Sequence, residues 1–166
     1  QLPFVQSRLF PGDHSPVDVA WRFGNLFDDA LDAIAQSAQP WPLDVPPVEI
    51  ARRAMRALPD GEVCVALHSN PGPEHVFVDP QTGRFVGLID FGDAYISHPV
   101  LDLRRWPAPA DRCALWDGYT AEAPANDTLV RTWQVAQTLV YLSIIAHNSE
   151  QRAMAIAEIE AVYRKI

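Results

Sequence analysis

Leu67-His68-Ser69-Asn70-Pro71-Gly72-Pro73-Glu74-His75-Val76-Phe77-Val78-Asp79, followed by Gly87-Leu88-Ile89-Asp90-Phe91-Gly92-Asp93, is the stretch on which the reading of this chain turns. His75 to Asp79 and Arg84 to Ile89 flank Pro80-Gln81-Thr82-Gly83 and read as a β-hairpin, with Gly83 supplying a left-handed turn position. Antiparallel pairing across so short a turn makes positions near 75 and near 90 neighbours. The loop ahead of the hairpin, His68 to Glu74, ends at the same place. The spacing therefore predicts that His68, Asn70, His75 and Asp90 converge, with Asp93 close by. A carboxylate beside an imidazole or amide oxygen suits a hard divalent cation. Mg²⁺ takes few protein ligands and fills its shell with water and phosphate oxygens.

Outward from this segment the pattern changes period. Val63 to Leu67 reads as a short buried strand. From Val17 to Ala38, apolar residues including Val17, Trp21, Phe27, Ala30 and Ile34 recur at helical spacing, with Asp13 or Ser15 as cap and Pro16 in the first turn. Gln39 to Pro47 carries four prolines and reads as a loop; Val48 to Leu58 is a second amphipathic helix, ended by Pro59-Asp60-Gly61. Beyond Asp93 the chain is expected to be helical again: Pro99 to Trp106 and Ala110 to Tyr119 as short helices, Asp127 to His147 and Ser149 to Ile166 as long ones. The Asp127 to His147 segment is apolar on most faces and reads as the central core helix. The five tryptophans could stack on a substrate, although aromatic residues at helical spacing usually belong to the core. The predicted class is α+β, mainly helical, around a small β element.

Composition narrows the function. The chain has 166 residues, 48% of them hydrophobic and 20% charged, which fits one globular domain. Acidic residues outnumber basic ones by 21 to 13, and the net charge of −8 argues against non-specific nucleic-acid or anionic-membrane binding. No stretch is apolar for long enough to span a bilayer, and the N-terminus lacks a signal-peptide pattern. Cys64 and Cys113 have no metal-ligand spacing, and a reducing cytoplasm is the expectation. The basic residues are almost all Arg, the one Lys being Lys165; and Gln1 in place of Met suggests a chain that begins partway through a gene product.

The two quoted segments, at this separation and joined by a hairpin, resemble the aminoglycoside phosphotransferase (choline-kinase-like) family. That family has a catalytic loop of the form H-G-D-x-x-x-x-N, a hairpin, and I-D-F/W-G/E; His98-Pro99-Val100-Leu101-Asp102-Leu103 is similar to its D-P-x-x-D-L segment. The likeness is close over about residues 62 to 106. It implies a kinase-like C-terminal lobe over residues 1–166: helical over 1–61, catalytic loop and hairpin over 62–93, helical over 94–166. The implied reaction is ATP- and Mg²⁺-dependent phosphoryl transfer to the hydroxyl of a small molecule. Aminoglycoside, macrolide, choline, homoserine and sugar kinases share these motifs, so the acceptor stays open.

Residue by residue, the resemblance makes Asp90 the metal-binding aspartate. His75 stands where the family has the Asn that is its second metal ligand; taken alone, it reads equally as a hydrogen-bonded histidine. His68 is implied as the structural histidine that braces the loop, and Asp102 as the aspartate that ties the loop to the helices. Asn70 stands where the family has the aspartate that orients and deprotonates the attacking hydroxyl. An amide accepts a hydrogen bond but takes no proton at neutral pH, so Asn70 is either an impaired base or a loop-capping Asn. Ser69 and Pro71 replace the family's usual Gly and Leu. Asp93 reads as a helix cap in preference to a further ligand. Asp111, Asp117 and Glu122 lie in the region where the family binds its acceptor, and the acidic surplus is a solvated surface or a draw for a polycation.

The resemblance also implies an N-terminal lobe with a phosphate-covering loop and a lysine. Neither has a counterpart here, and the nucleotide lobe is expected to lie ahead of Gln1. Weak or absent ATP binding by this chain alone is the expectation. The alternative reading is a non-catalytic pseudo-phosphotransferase, a binding or dimerising module whose surface toward the missing lobe favours self-association.

Overall fold

The computed structural model describes residues 16–60, 64–106, 108–122, 124–148 and 150–164. The chain is α+β and mainly helical, and it divides into two compact units. One unit comprises residues 1–19 and 62–122, the other residues 20–61 and 123–166.

The second unit is all helical. Its helices are α1 (Val19–Gln36, whose first residue falls in the other unit), α2 (Pro47–Ala57), α5 (Asp127–His147) and α6 (Arg152–Tyr163). α5 begins where Asn126 Oδ1 accepts the Leu129 amide at 2.8 Å, with Asp127 in the first turn to complement the helix dipole. Every residue from Val135 to Leu142 is buried, so α5 is the central helix that the apolar pattern predicts. The buried Thr132 and Thr138 hydroxyls donate to the carbonyls of Thr128 and Gln134, which satisfies both hydroxyls within the helix. α2 and α6 pack on α5, α2 through Ile50, Ala51 and Ala54, α6 through Ala155 and Ile159. α2 starts with Pro47 in its first turn, and Glu49 there pairs with Arg52 and Arg56 along the exposed face. The proline-rich segment after α1 is a loop, as its composition predicts. Trp41 Nε1 donates to Val45 O at 2.7 Å, and Arg152 of α6 donates to Gln39 and to Pro40 O.

The first unit holds the strands. β1 (Val65–Leu67) pairs antiparallel with β4 (Tyr95–Ser97) in the register Val65↔Ser97, Ala66↔Ile96, Leu67↔Tyr95. β2 (Val76–Val78) and β3 (Phe85–Leu88) form the predicted hairpin, with Val76↔Leu88 and Phe77↔Gly87 opposed and a bulge between Phe77 and Val78. Asp79 shapes its turn: Oδ1 accepts from the Gln81 and Thr82 amides and the Thr82 hydroxyl, bonds that hold its carboxyl below the usual range. Gly83 takes φ +66°, the left-handed conformation expected of it. α3 (Val100–Leu103) and α4 (Pro109–Glu122) follow.

Four expectations are corrected. The chain does not turn helical straight after Asp93, because β4 intervenes to close β1; the pairing is long-range and three residues carry too little pattern to announce it. Asp93 therefore caps no helix: α3 starts at Val100, and Pro99 precedes it. Pro16 lies ahead of α1, where Val17 instead runs beside β4, its amide donating to Ile96 O at 2.8 Å and its carbonyl accepting from Ser97 Oγ at 2.7 Å. Trp21 is 60% exposed, since Phe23, Phe27 and Ala30 define the inner face of α1 and Trp21 falls opposite. The caps expected from Asp13 or Ser15, and Val63 of the predicted strand, lie outside the described residues.

Candidate active site

The loop that leaves β1 is held from below by one carboxylate. Asp102, in the first turn of α3, accepts the His68 amide on Oδ2 at 2.7 Å and the Ser69 amide on Oδ1 at 2.9 Å. Burial raises its carboxyl above the usual range, and the two amides, with His68 and Arg104 nearby, pull it back. The grip fixes an unusual backbone. Ser69 has φ +80°, a left-handed conformation that a residue with a Cβ adopts at a cost. Asp102 thus ties the loop to the start of α3.

His68 is 5% exposed and braces the loop from inside. Its Nδ1 accepts the Asn70 amide at 3.3 Å, so Nε2 carries the hydrogen and donates to Ile89 O at 2.6 Å. The Phe91 ring closes over it, centroids 4.5 Å apart. This histidine therefore links the loop to the end of β3, one residue before Asp90.

His75 sits at the start of the hairpin, its ring partly sheltered. Its Nδ1 lies 2.6 Å from the carbonyl of Asn70 and donates to it, since that carbonyl has no hydrogen to give. In the neutral ring this turns the lone pair of Nε2 outward, and 3.6 Å away stands Asp90 Oδ2. Two electron-rich atoms facing each other call for a proton or a cation between them. Asp90 itself has φ +65°, so both non-glycine residues with positive φ among the described residues, Ser69 and Asp90, belong to this site. Such strained conformations persist where the surroundings over-determine them.

His75 Nε2 and Asp90 Oδ2 are the two donors the site could offer a divalent ion, the carboxylate being the kind magnesium prefers and the imidazole a softer donor. Among the described residues no cluster of three or more His, Cys, Asp or Glu side chains forms a fuller cage.

Asn70 lies on the loop between His68 and His75. Its side-chain oxygen accepts from Arg105, with Nε at 2.8 Å and one terminal nitrogen also in contact. Arg105 was not among the residues the sequence points to. Its one signal is its spacing: it follows Asp102 by three residues, in the turn after α3 where its amide donates to Asp102 O at 3.2 Å. Asp93 joins neither His75 nor Asp90 in any ion pair or hydrogen bond, and Asp111, Asp117 and Glu122 are exposed along α4.

No curated protein and no solved structure matches this chain. A family model does, that of the phosphotransferase enzyme family (APH), over residues 9–138. That span contains the clamped loop, the hairpin, Asp90 and Asp102, and it takes in most of the sequence; the chain belongs to the APH phosphotransferase family.

Proposed function

We propose that this chain is the kinase-like C-terminal lobe of a small-molecule phosphotransferase, with transfer impaired at Asn70. The family reaction moves the γ-phosphoryl group of ATP to a hydroxyl with the help of Mg²⁺. The observation that supports the reading is the clamped loop, which brings His75 Nε2 to 3.6 Å from Asp90 Oδ2; in this reading Asn70 stands in for the family's base. His75 and Asp90 would hold the ion, which when bound neutralises charge on the nucleotide phosphates. Asn70 orients a hydroxyl by hydrogen bonding but leaves the proton on it. General-base assistance contributes about 10²–10⁴-fold. A loose phosphoryl-transfer transition state depends less on the base than on positioning, so residual turnover fits this arrangement. The sequence offers no glycine-rich phosphate loop and no lysine other than Lys165, which supports weak nucleotide binding by this chain alone. Exposed thiols at Cys64 and Cys113 suit a reducing cytoplasm.

The test is hydrolysis of Mg-ATP by the full chain and by Asn70→Asp, alongside a calorimetric titration with Mg-ATP. A rate rise in the variant supports an impaired enzyme, and micromolar nucleotide binding by the unmodified chain overturns the weak-binding part.

One observation favours a second reading, a non-catalytic module that self-associates. Phe77, Val78, Phe85, Val86 and Ile89 of the hairpin region are all about half exposed or more, reaching 65% and 67% at Phe85 and Val86. Large apolar side chains left exposed on both faces of a two-stranded ribbon are candidates for contact with a partner surface. A variant Asn70→Asp that folds yet stays inert, with concentration-dependent sedimentation, selects this reading.

A further inference from the structure

Asn70 and Arg105 make a pair whose chemistry is the inverse of the base it replaces. An arginine side chain has only donors, so the amide must present its oxygen to it, and the Asn70 NH₂ is turned the other way. The amide oxygen is thereby engaged. Among the described residues the Asn70 NH₂ has no acceptor, and no carboxylate lies within 4 Å of the Arg105 guanidinium. What the site offers at the place of proton abstraction is a set of N–H donors with one positive charge, in a chain whose net charge is −8.

The pair is also held in place. The Asn70 backbone is fixed at three points: its amide on His68 Nδ1, and its carbonyl under the Gly72 amide at 2.9 Å and His75 Nδ1 at 2.6 Å. Arg105 follows α3, whose Val100 and Leu101 are buried and whose Asp102 grips the same loop. Donors fixed before a ligand arrives recognise an acceptor at small entropic cost.

We infer that Asn70 and Arg105 form a recognition site for an oxyanion, the phosphate or carboxylate group of a small molecule. The inference deepens the reading of the catalytic loop given above and rests on it for the term acceptor. It assigns this chain an anionic acceptor in place of a polycation. Guanidinium and amide N–H groups bind such oxygens by charge-assisted hydrogen bonds, bidentate where geometry allows. Arg105 is solvent-exposed, so screening keeps the affinity in the millimolar range.

Titration with sodium phosphate, and separately with sodium acetate, at ionic strength held constant with chloride, tests this in the full chain without nucleotide. The probes are the Asn70 side-chain amide and Arg105 Nε–H signals in ¹H–¹⁵N spectra. Saturable shifts of both are expected in one or both arms; the stronger arm identifies the acceptor group. Arg105→Gln should weaken binding about tenfold or more. Asn70→Asp, which pairs Arg105 internally, should abolish it while spectral dispersion reports an intact fold. No saturation in either arm, or unchanged affinity in Arg105→Gln, overturns the inference; should Arg105→Gln fail to fold, retained binding in Asn70→Asp does so. Because no nucleotide or metal is present, a negative result here leaves phosphoryl transfer standing, and absent transfer leaves this binding standing.

Discussion

Asp102 Oδ1 accepts the backbone amide of Ser69 at 2.9 Å, across 33 residues of sequence, and so holds a serine at φ +80°. The second oxygen of the same carboxylate takes the His68 amide. One half-buried side chain thus sets the path of the loop from which Asn70 and His75 project. The site's geometry is a property of α3 as much as of the loop.

Asp102→Ala should be the most damaging single change in the loop's support. Two part-buried amides lose a charged acceptor, and since a fully buried unsatisfied group costs about 1–3 kcal/mol, each should cost toward the lower end of that range. Urea unfolding should show a lower midpoint, and the Ser69 amide should lose hydrogen-exchange protection. Asp102→Asn, which keeps one acceptor oxygen, should fall between the two.

Ser69→Gly should stabilise the chain. Glycine adopts positive φ freely, whereas a residue with a Cβ pays about 1–3 kcal/mol there; the greater freedom of glycine in the unfolded chain returns about 0.5–1 kcal/mol of that. A net gain is expected in thermal unfolding, and Ser69→Ala should show none of it. A glycine variant no more stable than the parent means that the Asp102 grip already compensates the strain in full.

His98 predicts an acid-sensitive fold. It is buried, and burial pushes its imidazole down to about 4. Its Nδ1 accepts the Val100 amide at 3.3 Å, a bond only the neutral ring makes. The unfolded chain takes up a proton near pH 6.5 and the folded one only near 4, so stability is present above the first value and is lost as pH falls between them. The drop attributable to this group is about 3 kcal/mol. His98→Asn should flatten the stability profile between pH 6.5 and 4, read by urea midpoints at half-unit steps.

His75 and Asp90 should act together on a divalent ion. Mn²⁺, followed by its electron paramagnetic resonance signal, should bind the full chain with an affinity that falls about tenfold or more in Asp90→Asn and in His75→Ala. In the double variant the loss should be less than the sum, because either ligand alone makes a poor site. Equal Mn²⁺ binding in all four proteins would remove the metal role from this pair.

The hairpin's apolar surface makes a further prediction, which belongs to the second functional reading. Replacing Phe85 and Val86 with Thr should leave helix content unchanged and shift sedimentation toward monomer. Both side chains are more than half exposed, so the folded chain gives up little packing by losing them.

Periodic elements were legible without coordinates. α5 runs over the residues its apolar pattern marks out, and the hairpin sits where Gly83 and its flanking segments place it. The meeting of His75 with Asp90 follows from hairpin register alone. β4 was not legible, because a three-residue strand carries no period and its partner lies 30 residues earlier. Nor was the exposure of Trp21, since an aromatic residue at helical spacing reads as core until the inner face of its helix is known.

Local patterning, read along the chain, sufficed for the mainly helical α+β class, the hairpin and the set of polar residues around it, since hydrophobic period and turn chemistry act over a few residues. Folding in three dimensions settled which atoms face each other. It put Arg105 on the oxygen of Asn70, turned the Nε2 lone pair of His75 toward Asp90, and made Asp102 carry a strained serine. Those outcomes depend on the direction of individual hydrogen bonds between distant segments, which spacing along a chain does not encode.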